Sequence, residues 1–158
     1  LRMITILAQA VGSQGMAGGQ TIDLQSTHQA LSESALKALH EMKTGALISA
    51  SVTLGAVASE SIHPKSLDAL QRYAEAVGLG FQIADDILDE LSDPALLGKP
   101  QAADKRRGKS TYLSLLGEHT ARHAAEIQLT LAKQALEALP VDTQLLNELA
   151  QFAIERRY

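Results

Sequence analysis

Three carboxylates fall within little more than one turn of an apolar stretch, Phe81-Gln82-Ile83-Ala84-Asp85-Asp86-Ile87-Leu88-Asp89, and from Lys99 onward the chain turns basic. That pairing of signs is the chemistry of a site for metal ions and phosphate. A hard cation takes oxygen ligands, keeps several waters and completes its shell with carboxylates and phosphate. On a helix Asp85 and Asp89 stand one above the other while Asp86 points about 100° away, so two carboxylates face one cavity and the third flanks it. Like charges at this spacing repel by about 0.2–0.5 kcal/mol per pair on an exposed helix, but by about 4 kcal/mol when roughly 4 Å apart at an effective dielectric near 20. Burial therefore decides between a site and a solvated acidic helix end running Asp85, Asp86, Asp89, Glu90, Asp93.

The residues upstream favour partial burial. Ala74, Ala76, Val77, Leu79, Phe81, Ile83 and Ala84 leave almost no solvated face, and Gly78, Gln82, Asp85 and Asp89 form a narrow polar stripe on an apolar rod. A helix ending near Ser92 to Pro94 would put the aspartates toward its negative pole, where anions are disfavoured unless cations offset them. Lys99, Lys105, Arg106, Arg107 and Lys109 supply positive charge on one loop, opposed there only by Asp104. Alone this would be a solvated basic loop; beside the aspartates it complements them, since Mg²⁺ with Lys and Arg grips a diphosphate.

The elements that must position these groups read as helices. The 158 residues can bury a real core and suggest one domain or part of a larger one. Long Ala/Leu-rich periodic stretches, few aromatics and no convincing strand alternation predict an all-α chain. Residues 1–14 read as a helix broken around Gly12, Gly15 and Gly18-Gly19, followed by a polar connection through about Gln29. A second helix, capped at Ser32 or Ser34, runs to Ala58, and a third from about Ser66 to Ser92 carries the aspartates. A short helix over Tyr112–Leu116 and two amphipathic helices, 118–138 and 142–157, close the chain, the last capped by Asp142 or Thr143. Lys43, at the start of the apolar stretch Thr44 to Ser59, reads equally as a partnered group at the mouth of a core and as a snorkelling surface side chain.

Composition excludes several classes. A net charge of −4 argues against a general nucleic-acid binder, and the absence of cysteine rules out a disulfide framework or thiolate metal site. No signal peptide is evident, the longest uncharged stretch is too short and too hydroxylated for a membrane span, and a cytoplasmic location is expected. A di-metal oxidase bundle would need two Glu-x-x-His motifs, and Glu60-Ser61-Ile62-His63 is the only one. His119 and His123 share a helix face at i, i+4, which on an amphipathic surface helix reads as solvated.

Taken in order, Gly18-Gly19-Gln20-Thr21-Ile22-Asp23-Leu24, His40-Glu41-Met42-Lys43-Thr44-Gly45-Ala46-Leu47, Gly80-Phe81-Gln82 to Asp89, and Leu97-Gly98-Lys99-Pro100 to Gly108-Lys109-Ser110-Thr111-Tyr112 resemble successive motifs of the trans-prenyl diphosphate synthases. The loop ending Gly-Lys-Ser-Thr-Tyr looks most like the bacterial farnesyl-forming members, and the likeness covers nearly the whole chain. It implies an all-α isoprenoid synthase bundle whose cavity condenses an allylic diphosphate, dimethylallyl or geranyl, with isopentenyl diphosphate. By the same resemblance Asp85 and Asp89 approach Mg²⁺ and Asp86 acts on it directly or through water. Lys43, Lys109 and Lys99 hold the allylic diphosphate, and Gln20 and Asp23 form a polar pair near it and Lys43. Gln82, Thr44 and the Lys43 carbonyl line the path where the carbocation forms. Arg156 is the nearest match to the family's basic tail over isopentenyl diphosphate, although the chain ends in Tyr158 where a terminal lysine is common. A homodimer is also implied.

The chain departs from the family pattern in one large respect. A further Asp-Asp-x-x-Asp motif and the isopentenyl-binding residues belong upstream of Asp85, yet Asp23 is the only aspartate in the first 67 residues. The expectation is the C-terminal half of a synthase, inactive alone. A geranylgeranyl or longer-chain synthase and a noncatalytic helical partner subunit are the alternatives, the second disfavoured because the aspartates and lysines are intact.

Overall fold

The computed structural model describes residues 1–59, 61–91 and 108–156. Its elements are α1 (Arg2–Val11), α2 (Met16–Gln25), α3 (Glu33–His40), a π-helical turn (Glu41–Gly45), α4 (Ala46–Val57), α5 (Pro64–Leu91), α6 (Tyr112–Leu116), α7 (Glu118–Glu137) and α8 (Gln144–Glu155). The described residues contain no strand, so the fold is all-α as expected.

α5 is the axis. Its middle turns are buried nearly all round, from Tyr73 and Ala74 through Ile83 to Ile87, which is the pattern of a helix enclosed by others. α7 lies along it, presenting Ala121, Ala125, Leu129, Ala132 and Leu136 at three- and four-residue spacing. The alanines bring the two axes close, and Leu136 and Ile83, each 1% exposed, fill the seam. α8 packs across α5 and α7, and the Tyr73 hydroxyl donates to the Leu146 carbonyl at 2.8 Å. On the other side α4 leans on α5, and α1 on α4.

Local side-chain signals mark three of the helix starts. The Ser32 hydroxyl accepts from the Ala35 N–H at 3.2 Å and starts α3, while Asp142 accepts from Gln144 N–H at 2.9 Å and starts α8. Thr111 and Ser114 form a reciprocal capping box on the short α6.

Two elements differ from the sequence reading. Residues 16–25 form a helix instead of a break and a polar connection, and Gly18-Gly19 lies inside it. Glycine disfavours helix by about 1 kcal/mol, but packing reverses the outcome here. A Cβ at Gly19 would stand 2.6 Å from Lys43 Cα, so only glycine lets α2 rest on the backbone of the π turn. Second, the helix expected from Ser32 to Ala58 is interrupted by that π turn, which inserts a residue and rotates Lys43 and Thr44 relative to a regular helix.

Candidate functional site

The last turns of α2 bring Asp23 under the π turn, where its side chain is 8% exposed. One oxygen, Oδ2, accepts from Lys43 Nζ at 2.8 Å and from Lys109 Nζ at 2.6 Å. Burial alone would raise the Asp23 pKa, but the hydrogen bonds and charges of Lys109 and Lys43 outweigh it and hold the carboxyl below its ordinary value. One carboxylate against two ammonium groups gives this triad a surplus of one positive charge. Lys43 therefore sits at the mouth of the core with a partner, while both lysines keep some exposure. Gln20 is exposed, one turn before Asp23 on α2.

Lys109 is held by its loop. The Gly108 carbonyl accepts from His28 N–H at 2.9 Å, and the Ser110 hydroxyl accepts from Leu31 N–H at 3.0 Å. Gly108 has φ +67°, a left-handed conformation that turns the chain toward the His28 loop.

Behind the lysines lies a second cluster on α5. The Thr44 hydroxyl donates to Gln82 Oε1 at 2.9 Å, and Gln82 Nε2 reaches Asp86 Oδ1 at 3.4 Å. The other Asp86 oxygen accepts from Tyr112 N–H at 2.8 Å and lies 3.3 Å from His40 Nε2. The His40 and Tyr112 rings stack with centroids 5.7 Å apart. Burial, followed by the charges of Glu33, Asp86 and Glu41, pushes the Tyr112 phenol up to about 12, so it stays protonated at neutral pH.

The three aspartates consequently do different things. The Asp85 side chain is 39% exposed and its Oδ1 accepts from Arg156 Nη2 at 2.8 Å. Arg156 also stands 4.2 Å over the Phe81 ring, one turn before Asp85 on α5. Asp86 and Asp89 are buried. The common open face anticipated for Asp85 and Asp89 is therefore uneven, one buried and the other at the rim. Gln82 pairs with Asp86, not with the Asp85 side of the stripe. Lys99 and the Lys105–Arg107 run lie outside the described residues.

Among the described residues no three His, Asp or Glu side chains already converge into a metal cage. A cation such as Mg²⁺ is held by one or two carboxylates plus waters and phosphate. The all-oxygen donors of the motif fit such an ion, and Asp85 is the carboxylate reachable from solvent. A cavity of about 480 Å³ opens between α5, α7 and α8 beside Ala84, Ile87, Arg122, Glu126 and Arg156. It is lined by neither the lysines nor the aspartates, so charge and hydrogen bonding, not volume, locate the candidate site.

Sequence reasoning missed His40 and Tyr112 as members of this site. His40 stands in no metal-ligand spacing, and its partner Asp86 lies on another helix, where no local pattern betrays it.

Residues 1–151 match the polyprenyl synthetase family, and the chain belongs to it. The farnesyl diphosphate synthase of Escherichia coli is 45% identical over 159 aligned residues, covering 99% of this chain and 53% of that protein. The chain thus spans about half the length of the relatives it matches. In three dimensions a polyprenyl synthase from Caulobacter crescentus, complexed with calcium and isoprenyl diphosphate, superimposes with TM-score 0.90 at 28% identity over 100% of this chain and 60% of its own. A geranyltransferase from Helicobacter pylori, complexed with magnesium and isoprenyl diphosphate, gives TM-score 0.81 at 34% identity, over 98% and 50% respectively.

Proposed function

We propose that this chain is the C-terminal half of a prenyl diphosphate synthase that joins an allylic diphosphate, dimethylallyl or geranyl, to isopentenyl diphosphate and yields farnesyl diphosphate. The observation that carries the proposal is the pair of ammonium groups on Asp23 Oδ2, whose surplus positive charge is the counterpart of a diphosphate. The 45% identity to a farnesyl diphosphate synthase supports the farnesyl assignment. The resemblance also supports a cytoplasmic homodimer for the whole protein; no helix among the described residues is long and apolar enough to cross a membrane.

In this reading Lys43 and Lys109 bind the allylic diphosphate, assisted by Lys99, and meet the charge that develops as its carbon–oxygen bond breaks. Mg²⁺ held at Asp85 and Asp89 would supply further charge neutralisation on the same leaving group. Thr44, Gln82 and the Lys43 carbonyl turn their dipoles toward the allylic carbocation and steady it without a covalent bond. The isopentenyl alkene forms the new carbon–carbon bond, the resulting cation loses a proton, and the departed diphosphate accepts it. Arg156 closes the isopentenyl end from the tail, and Gln20 with Asp23 borders the allylic substrate.

The test is turnover of radiolabelled isopentenyl diphosphate with geranyl diphosphate and Mg²⁺. The full-length protein should make a fifteen-carbon product and residues 1–158 alone should make none. Products longer than farnesyl diphosphate would move the assignment to a longer-chain synthase, and no transfer at all by the full-length protein would overturn it.

A further inference from the structure

The lysine cluster on Asp23 and the Asp86 cluster behind it meet across a very small space. A cavity of about 30 Å³ is bounded by Asp23, Lys43 and Lys109 on one side and by His40, Gln82 and Asp86 on the other. Asp23 joins the two lysines directly. Asp86 joins what carries them.

Its Oδ2 takes the N–H of Tyr112, three residues after Lys109, and the ring nitrogen of His40, three residues before Lys43. His40 is the last residue before the π turn, and Tyr112 is the first residue of α6. One carboxylate oxygen therefore ties the start of the Lys43 turn to the end of the Lys109 loop. The Gln82 amide occupies the other oxygen. With a side chain only 3% exposed and both oxygens facing protein donors, Asp86 differs from Asp85, whose carboxylate lies at the rim. A carboxylate that accepts buried N–H donors loses them if it turns to an ion, and an unpaired buried donor is expensive.

Resting on the function proposed above, we infer that Asp86 is a positioning residue, with His40 as its clamp, and not an ion ligand: by fixing the Lys43 turn and the Lys109 loop to one oxygen it sets the spacing of the two ammonium groups that meet a diphosphate. His40 serves in the form that carries its proton on Nε2, and the stacked Tyr112 ring holds the imidazole plane. Asparagine at position 86 keeps a carbonyl oxygen for Tyr112 and His40, gives up only the long 3.4 Å contact from Gln82, and is a far poorer ligand for a hard cation, so it separates the two roles.

The experiment uses the full-length protein with inorganic diphosphate as the probe, titrated calorimetrically without metal, alongside the Mg²⁺ dependence of turnover. Asp86→Ala and His40→Ala should each weaken metal-free diphosphate binding by about tenfold or more, the effect of losing a charge-assisted hydrogen bond, while Asp86→Asn stays within about threefold of wild type. Asp86→Asn should leave the Mg²⁺ half-saturation near the wild-type value, whereas Asp85→Asn raises it. Nitrogen-15 NMR of the metal-free protein should find His40 protonated on Nε2 in the wild type and in Asp86→Asn. A proton on Nδ1, or an Asp86→Asn protein with normal diphosphate affinity and an Mg²⁺ half-saturation raised as in Asp85→Asn, overturns the inference. The diphosphate and NMR readouts need no turnover, so absence of prenyl transfer would strike the proposed function and leave this inference to be judged separately.

Discussion

Lys43 and Lys109 place their ammonium groups on the same oxygen of Asp23, at 2.8 and 2.6 Å, although one rides on a π turn and the other on a loop far along the chain. Two cations do not approach one another without a reason. The buried carboxylate offsets their repulsion, and the triad it forms with them keeps one surplus positive charge.

This arrangement has a pH signature. The Asp23 pKa lies below its ordinary 3.8 in the folded protein, so the unfolded chain binds that proton more readily. The stabilisation is fully present above about pH 4 and is lost as pH falls through the folded value. Urea unfolding of the wild type between pH 6 and pH 3 should show stability falling at the acid end, and Asp23→Asn should flatten that fall. An unchanged acid limb in the variant would show that Asp23 is not held by the lysines.

Removing either lysine should weaken substrate binding more than stability. Lys43→Ala and Lys109→Ala in the full-length protein each delete one charge-assisted hydrogen bond, about 1.5–3 kcal/mol, which is about ten- to a hundredfold in KM for the allylic diphosphate. The survivor still pairs with Asp23, so thermal unfolding should shift little. Steady-state kinetics with a melting curve checks both halves.

The aspartate motif makes a prediction of another kind. Asp85 is partly exposed and paired with Arg156, and such a pair contributes about 0–1 kcal/mol to stability. Asp85→Ala should thus depress turnover by orders of magnitude while helicity and melting stay close to wild type. Arg156→Ala should raise KM for isopentenyl diphosphate and leave KM for the allylic substrate nearly unchanged. Normal turnover by Asp85→Ala would refute its place in the metal site.

Which parts of this architecture could be read beforehand follows from the range of the forces involved. α5 was legible as a helix from about Ser66 to Ser92, against Pro64–Leu91 observed, because its pattern is local and its apolar run is long. Ser32 as a cap and the break near Pro140 were legible for the same reason. The motif resemblance brought Lys43, Lys109 and Asp23 together before any coordinates did. By contrast, a helical wheel fixes only the angle between Asp85, Asp86 and Asp89. Which of them is buried depends on the helices packed against α5, and those contacts run between residues distant in sequence. The π turn was illegible because a one-residue insertion does not disturb an apolar run.

α2 is the sharpest instance, since Gly18-Gly19 signals a break and the structure forms a helix through it. If close packing is the cause, the glycine should be irreplaceable. Gly19→Ala improves helix propensity by about 1 kcal/mol, yet its methyl would stand 2.6 Å from Lys43 Cα, against backbone that no rotamer change can move. The helix must then lift from the π turn, and overpacking of this sort destabilises by about 1–3 kcal/mol. Because Asp23 travels with α2, the lift should also separate it from Lys43 and Lys109. The full-length Gly19→Ala protein should therefore unfold at lower urea and bind diphosphate more weakly. A variant as stable as wild type would mean that propensity, not packing, governs α2.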